Sequence, residues 1–84
     1  MLAEAARLNF MKRMKCSQLG GACDVEFIGE SFAEIASQSQ SDSKARFDAQ
    51  DGPHIDAMSA MMVIINNGDI DAWMSARKAE FDSL

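Results

Sequence analysis

The chain has 84 residues, 13 acidic and 8 basic side chains, and a formal net charge of −5. This length fits one domain, and the acidic balance argues against a nucleic-acid partner, because nucleic-acid binding depends on Lys and Arg. No run of about 18 apolar residues is present, so we expect no membrane partner. Two Cys and one His are too few for a disulfide scaffold or a self-contained zinc finger.

The N-terminal residues predict location and domain organisation. They lack the basic start and unbroken apolar stretch of a secretory signal. We therefore expect a cytoplasmic protein with reduced cysteines. The predicted organisation is an N-terminal extension over residues 1–10, dispensable for the fold, and a single small α+β domain over residues 11–84.

Residues 12–28 predict a β-hairpin. Gly20 and Gly21 would form its two-residue loop, since glycine readily adopts the positive φ angles that such loops need. This loop places Cys16 opposite Val25. Because side chains alternate along a strand, one face becomes apolar and the other charged. The predicted inner face consists of Met14, Cys16, Cys23, Val25 and Phe27.

A first helix is predicted to begin after the hairpin. Ser31 and Glu34 have the spacing of a capping box, in which each side chain bonds the backbone of the other residue. The following segment, residues 37–43, has no apolar side chain and several weak helix formers. We expect this segment to continue the helix as an exposed face.

Two further helices complete the predicted fold. Pro53 suits the first turn of the second helix, and Gly68 suits the left-handed cap that ends it. Asp69 would cap the third helix, and the short loop predicts antiparallel packing of these two helices. The predicted fold is therefore α+β, with an N-terminal antiparallel β-hairpin packed against three helices, the last two forming an antiparallel helical hairpin. The predicted core contains Val25, Phe27, Phe32, Ile35, Ile55, Met58, Met62, Ile65, Trp73 and Phe81.

Cys16 and Cys23 are the first candidate site residues. Six residues separate them, whereas paired zinc ligands are usually about two to four residues apart. The predicted register puts them on a diagonal of one face, where Cα atoms lie about 7–8 Å apart. A disulfide usually needs Cα atoms about 4.4–6.8 Å apart. Spacing alone therefore favours two packed, buried thiols, with metal binding or thiol redox chemistry as the alternative.

His54 is the third candidate metal ligand. It lies in the first turn of the second helix, where the helix dipole disfavours imidazolium and leaves a neutral ring able to bind metal. A single His at such a position is more often solvated, so we expect it at the surface. No cofactor is required by the sequence. Zinc or another transition metal is the candidate if Cys16, Cys23 and His54 act together.

The sequence predicts a non-enzymatic protein. No spacing links the single His to either Cys as a nucleophile and base, and nothing orders the acidic candidates Asp51, Asp56 and Glu80. The acidic surface, the continuous apolar segment 61–65 and the open edges of a hairpin instead predict an interaction module. We expect it to form a homodimer, with another protein partner as the alternative.

The stretch Cys16-Ser17-Gln18-Leu19-Gly20-Gly21-Ala22-Cys23-Asp24, followed by Phe27 and Gly29, resembles a known family. This is a bacterial domain-of-unknown-function family catalogued as predicted small metal-binding proteins. The resemblance covers about residues 11–36, and the stretch from Trp73 to Asp82 is similar to a longer branch of the family. It implies that Cys16 and Cys23 bind metal. The remaining ligands would come from His54, Asp24 or the same cysteines of a second subunit.

Overall fold

The computed structural model describes residues 11–84. The predicted N-terminal extension, residues 1–10, lies outside the described residues. The order of elements confirms the predicted α+β fold, and the last two helices are consecutive and contact each other. No helix within residues 11–84 combines the length and apolar character needed to cross a membrane. The elements are β1 (Lys12–Lys15), a 3-10 turn (Cys16–Leu19), β2 (Glu26–Gly29), α1 (Phe32–Asp48), α2 (Gly52–Asn66) and α3 (Ile70–Asp82).

The hairpin has the predicted register but a different loop. β1 and β2 pair antiparallel with Met14 opposite Phe27, and the Cys16 N–H donates to the Val25 carbonyl at 2.8 Å. The predicted two-residue loop is wrong, because residues 16–19 form a 3-10 turn that Gly20 ends with a φ of 85°. The longer connection turns Val25 outward, where it is 42% exposed.

Helix α1 begins at the predicted cap and continues through the polar segment. The Ser31 hydroxyl accepts a hydrogen bond from the Glu34 N–H at 3.2 Å, as predicted. The Glu34 carboxylate accepts from the Glu30 N–H at 2.7 Å, whereas a capping box would use the Ser31 N–H. The polar segment also has a structural role. The Gln38 amide accepts from the Ile28 N–H at 3.3 Å and donates to the Ile28 carbonyl at 2.7 Å. One polar side chain thus forms hydrogen bonds with the edge of β2, an edge that the sequence predicted to be open.

Local backbone geometry fixes where α2 begins and ends. Gln50 adopts a left-handed φ of 57°, which lets the Asp51 N–H donate to the Arg46 carbonyl at 3.0 Å. Asp51 then caps α2. Gly68, with a φ of 78°, ends α2 as predicted. Asp69 precedes α3, but contrary to the prediction its side chain makes no capping hydrogen bond.

The core is smaller than predicted. Phe27, Ile35 and Phe81 are buried as expected, whereas Val25, Met62 and Ile65 are exposed. Met62 and Ile65 are exposed because the neighbouring elements cover only part of α2. A continuous apolar segment on this helix therefore cannot be buried on all sides. Phe32, Ile55, Met58 and Trp73 are half-buried. Within residues 11–84, the buried apolar side chains are Met14, Cys16, Leu19, Phe27, Ile35 and Phe81.

Self-association stays a prediction, and α2 supplies its test. Met62 and Val63 are 51% and 58% exposed, and a second copy packed on this face would remove them from water. We expect sedimentation velocity to show a dimer that Val63→Glu dissociates, with Ser75→Glu, at an exposed position of α3, as a control for added charge. A monomer at high protein concentration would contradict the predicted homodimer.

Candidate metal centre

Four side chains from three parts of the chain meet at one end of the hairpin. Cys16 and Cys23 flank the loop, Asp42 lies on α1 and His54 lies on α2. One donor atom from each residue lies within 4.8 Å of all the others. The arrangement therefore combines two sulfur atoms, one imidazole nitrogen and one carboxylate oxygen, which is a donor set that transition metals bind.

The loop brings the two thiols together. The Ser17 N–H donates to the Cys23 carbonyl at 2.9 Å, and the Gly21 N–H donates to the Cys16 carbonyl at 2.9 Å. These bonds fold residues 16–23 into a tight loop instead of two extended strands. The expected diagonal placement on two paired strands is therefore wrong: both cysteines lie in the loop, and their sulfur atoms are within 4.8 Å of each other.

Both glycines of the loop leave space that a side chain would fill. A Cβ on Gly21 would overlap the Cys16 sulfur and lie 3.0 Å from the Cys16 carbonyl oxygen. A Cβ on Gly20 would lie 2.7 Å from the end of Met61, and the left-handed φ there also favours glycine. Gly20 thus allows the loop to turn against α2, and Gly21 allows the Cys16 sulfur to lie across the loop.

His54 is buried, contrary to the expected surface position. It is 4% exposed, with its Nδ1 2.9 Å from Asp51 Oδ1 and its Nε2 3.6 Å from the Cys16 sulfur. A carboxylate only accepts hydrogen bonds, so Nδ1 carries the proton and Nε2 offers its lone pair to the cluster. Asp51 also accepts from the His54 N–H at 3.1 Å, so the helix cap and the imidazole orientation depend on one side chain.

Asp42 is the site residue that sequence reasoning missed. Its Oδ2 lies 3.9 Å from the Cys16 sulfur, while its Oδ1 lies 3.5 Å from Arg46 Nε. Arg46 also reaches Asp51 at 3.5 Å. Asp42 lies seven residues after buried Ile35 on α1, which is two helical turns on the same face. That spacing is the signal that could have found it.

The surroundings raise the pKa of some groups at the cluster and lower the pKa of others. Burial raises the pKa of the Cys16 thiol, whereas the backbone N–H of Val25, helped by Cys16 and His54, lowers the pKa of the Cys23 thiol. The Asp51 carboxylate raises the pKa of His54, and His54 lowers the pKa of Asp51. Cys23 is therefore the thiol that loses its proton first, and it is also the less buried of the two.

The other acidic candidates are not part of the cluster. Asp24, which the family resemblance offered as a ligand, is exposed, as is Asp56. Glu80 lies 3.5 Å from Arg77 on α3. Asp51 contacts His54 without being one of the four donors. The structure thus brings together the three predicted metal residues, Cys16, Cys23 and His54, and adds Asp42.

Comparison of the chain with protein-family models, curated proteins and solved structures finds no match. The family resemblance therefore depends mainly on the stretch from Cys16 to Asp24, with Phe27 and Gly29.

The contact between Gly21 and Cys16 predicts the effect of a single methyl group. Gly21→Ala should displace the Cys16 sulfur and lower the free energy of unfolding by about 1–3 kcal/mol, as overpacking does. It should also speed alkylation of Cys16 in the folded protein. Gly52→Ala is the matched control, since a Cβ there meets no atom within 4 Å. Wild-type stability and alkylation rate in Gly21→Ala would contradict this account of the loop.

Proposed function

We propose that the protein binds one transition-metal ion, with zinc as the first candidate, through Cys16, Cys23, Asp42 and His54. The observation that carries the proposal is the mutual approach of the four donor atoms within 4.8 Å. The implication of the family resemblance for Cys16 and Cys23 agrees with it. A cytoplasmic location, where thiols stay reduced, is part of the same proposal.

Two measured separations between donor atoms are close to those of a tetrahedral site. Zinc bonds of about 2.3 Å to sulfur and about 2.0–2.1 Å to nitrogen or oxygen put neighbouring donors roughly 3.3–3.8 Å apart. The Cys16 sulfur lies 3.6 Å from His54 Nε2 and 3.9 Å from Asp42 Oδ2. No pair of the four donors is more than 4.8 Å apart, so one ion can be bound if the more distant donors move inward.

The ligand count favours a structural or carrier role over catalysis. Catalytic zinc sites usually keep one position open for water or substrate, whereas structural sites use four protein ligands. Four ligands from this chain would fill a tetrahedral ion. This agrees with the prediction, made from the sequence, of a non-enzymatic protein.

Asp51 and Arg46 would support the site from outside it. Asp51 holds the His54 imidazole in the tautomer whose Nε2 is free, as carboxylates commonly do for metal-bound His. Arg46 lies 3.5 Å from both Asp42 and Asp51. Its guanidinium offsets part of the negative charge that two thiolates and a carboxylate would bring to the ion.

The proposal predicts bound metal in protein purified without chelator. Elemental analysis should find one ion per chain, and EDTA should lower the Tm. At a free metal concentration about 100-fold above Kd, binding stabilises by about 2.7 kcal/mol, or roughly 10–20 °C in Tm for a domain of this size. Cys23→Ser and Asp42→Asn should lose the metal, while Asp56→Asn, which alters an exposed acid on α2, should keep it.

Two outcomes would contradict metal binding. One is metal-free protein whose Tm is the same with zinc and with EDTA. The other is hydrogen peroxide that joins Cys16 to Cys23 as fast with saturating zinc as with EDTA, because bound zinc would protect both thiolates. In that reaction the two thiols lose two electrons and two protons as the S–S bond forms, and the peroxide becomes two molecules of water. That result would favour the thiol-redox alternative.

A second prediction isolates the role of Asp51. Asp51→Asn keeps an oxygen that can accept from His54 Nδ1 and from the α2 backbone, but it removes the negative charge. We expect metal affinity to fall about 10- to 100-fold while the Tm of the metal-free protein changes little. Asp69→Asn is the matched control, because Asp69 precedes α3 without contacting the cluster. Unchanged affinity in Asp51→Asn would show that the negative charge of Asp51 does not contribute to metal binding.

A further inference from the structure

A second candidate site lies between the three helices. A cavity of about 630 Å³ opens there, within the size range of small-molecule sites, and ten of the fourteen residues in 11–84 that line it are apolar. Phe32 and Phe47 line it from α1, Met58 and Met61 from α2, and Trp73 from α3. The site therefore offers aromatic rings together with flexible thioether side chains, which adapt to ligands of different shape.

The polar lining of the cavity comes from one helix. Ser39, Gln40, Ser43 and Lys44 all lie on α1. The lining residues from α2 and α3 are all apolar, whereas α1 contributes the polar ones beside Phe32 and Phe47. A ligand that fits both sets of residues has an apolar body and one polar group.

Charge favours an anion as that polar group. The chain carries 13 acidic residues against 8 basic ones, yet Lys44 is the only charged residue among the described residues that line the cavity. The Lys44 side chain is 82% exposed, and its ammonium lies 3.7 Å from the carboxylate of Asp48. It can therefore turn toward a carboxylate at the cavity, where Ser43 and Gln40 offer further hydrogen-bond donors.

We propose that this cavity binds an apolar carboxylic acid, such as a medium-chain fatty acid, with its chain between α2 and α3 and its carboxylate at Lys44. The site is separate from the metal centre. On α1 the centre uses Asp42, and on α2 it uses His54, neither of which lines the cavity. Binding of the acid should therefore not depend on the metal.

The chain provides its own probe for this proposal. Trp73 is its single Trp, and it contains no Tyr, so the emission of the protein reports on the cavity. Titration of the protein as purified with octanoate, below its micelle concentration, should give a saturable change in Trp73 emission. Octanol should bind more weakly and octylammonium more weakly still. Affinity should fall about fourfold for each methylene removed between octanoate and hexanoate.

Substitutions separate the two sides of the cavity. Lys44→Met should weaken octanoate about twofold to fivefold, the range expected for an exposed ion pair, and leave octanol unchanged. Lys15→Met, an exposed position on β1, is the matched control. Ser39→Phe, which places a ring in the cavity, should abolish binding of both ligands. Cys23→Ser should lose the metal but keep octanoate.

Three results would overturn the proposal. The first is no saturable change in Trp73 emission with octanoate. The second is equal affinity for octanoate, octanol and octylammonium, or no effect of Lys44→Met. Either would show that the site does not recognise a carboxylate. The third is a dimer, seen by sedimentation, whose formation prevents octanoate binding, which would assign the cavity to a second copy of the chain.

Discussion

The Cys16 sulfur occupies space beside Gly21 that any other residue would fill with its Cβ. This contact requires the 3-10 turn after β1 and the left-handed Gly20 that ends it. Together these features fold the loop back so that Cys23 approaches Cys16 while the strands keep their register. Without this loop geometry the two thiols would lie along separate strands, and neither Asp42 nor His54 would meet a pair of sulfur atoms.

Around the thiols, the same residues serve both the fold and the candidate site. Asp51 caps α2 and also receives the Nδ1 proton of His54, so the start of the helix and the orientation of the imidazole are set together. Arg46 connects Asp42 on α1 with Asp51 at the start of α2. The left-handed Gln50 between the two helices keeps this junction short. A change in the helix junction would therefore also move two of the four donor atoms.

Parts of this arrangement could be predicted from the sequence because they follow local rules. The centre of the hairpin at Gly20 and Gly21 predicted the register of Met14 against Phe27, the alternation of apolar and charged residues agreed with it, and Ser31 predicted the start of α1. The loop could not be predicted in the same way, since two adjacent glycines fit a two-residue hairpin as well as a 3-10 turn with a glycine cap. The burial of His54 depends on Asp51 and on the thiols of a distant loop, which are contacts that helix position alone does not reveal. Asp42 was missed because its neighbours are polar, although its spacing from Ile35 places it on the buried face.

The small core suggests that the proposed metal would stabilise the fold. A chain of this length buries a modest share of its surface on folding, and here the buried apolar residues come mainly from the hairpin and loop, with one each from α1 and α3. His54 is the buried residue that α2 contributes. An ion held by Cys16, Cys23, Asp42 and His54 would therefore join the loop, α1 and α2 where apolar packing is sparse. Because metal ligands are brought together only in the folded chain, the binding free energy would add directly to stability. The ion would then attach α2 to the rest of the fold. The apolar residues of α2 would not need to be buried in the core for this purpose, so they could line a cavity and face solvent.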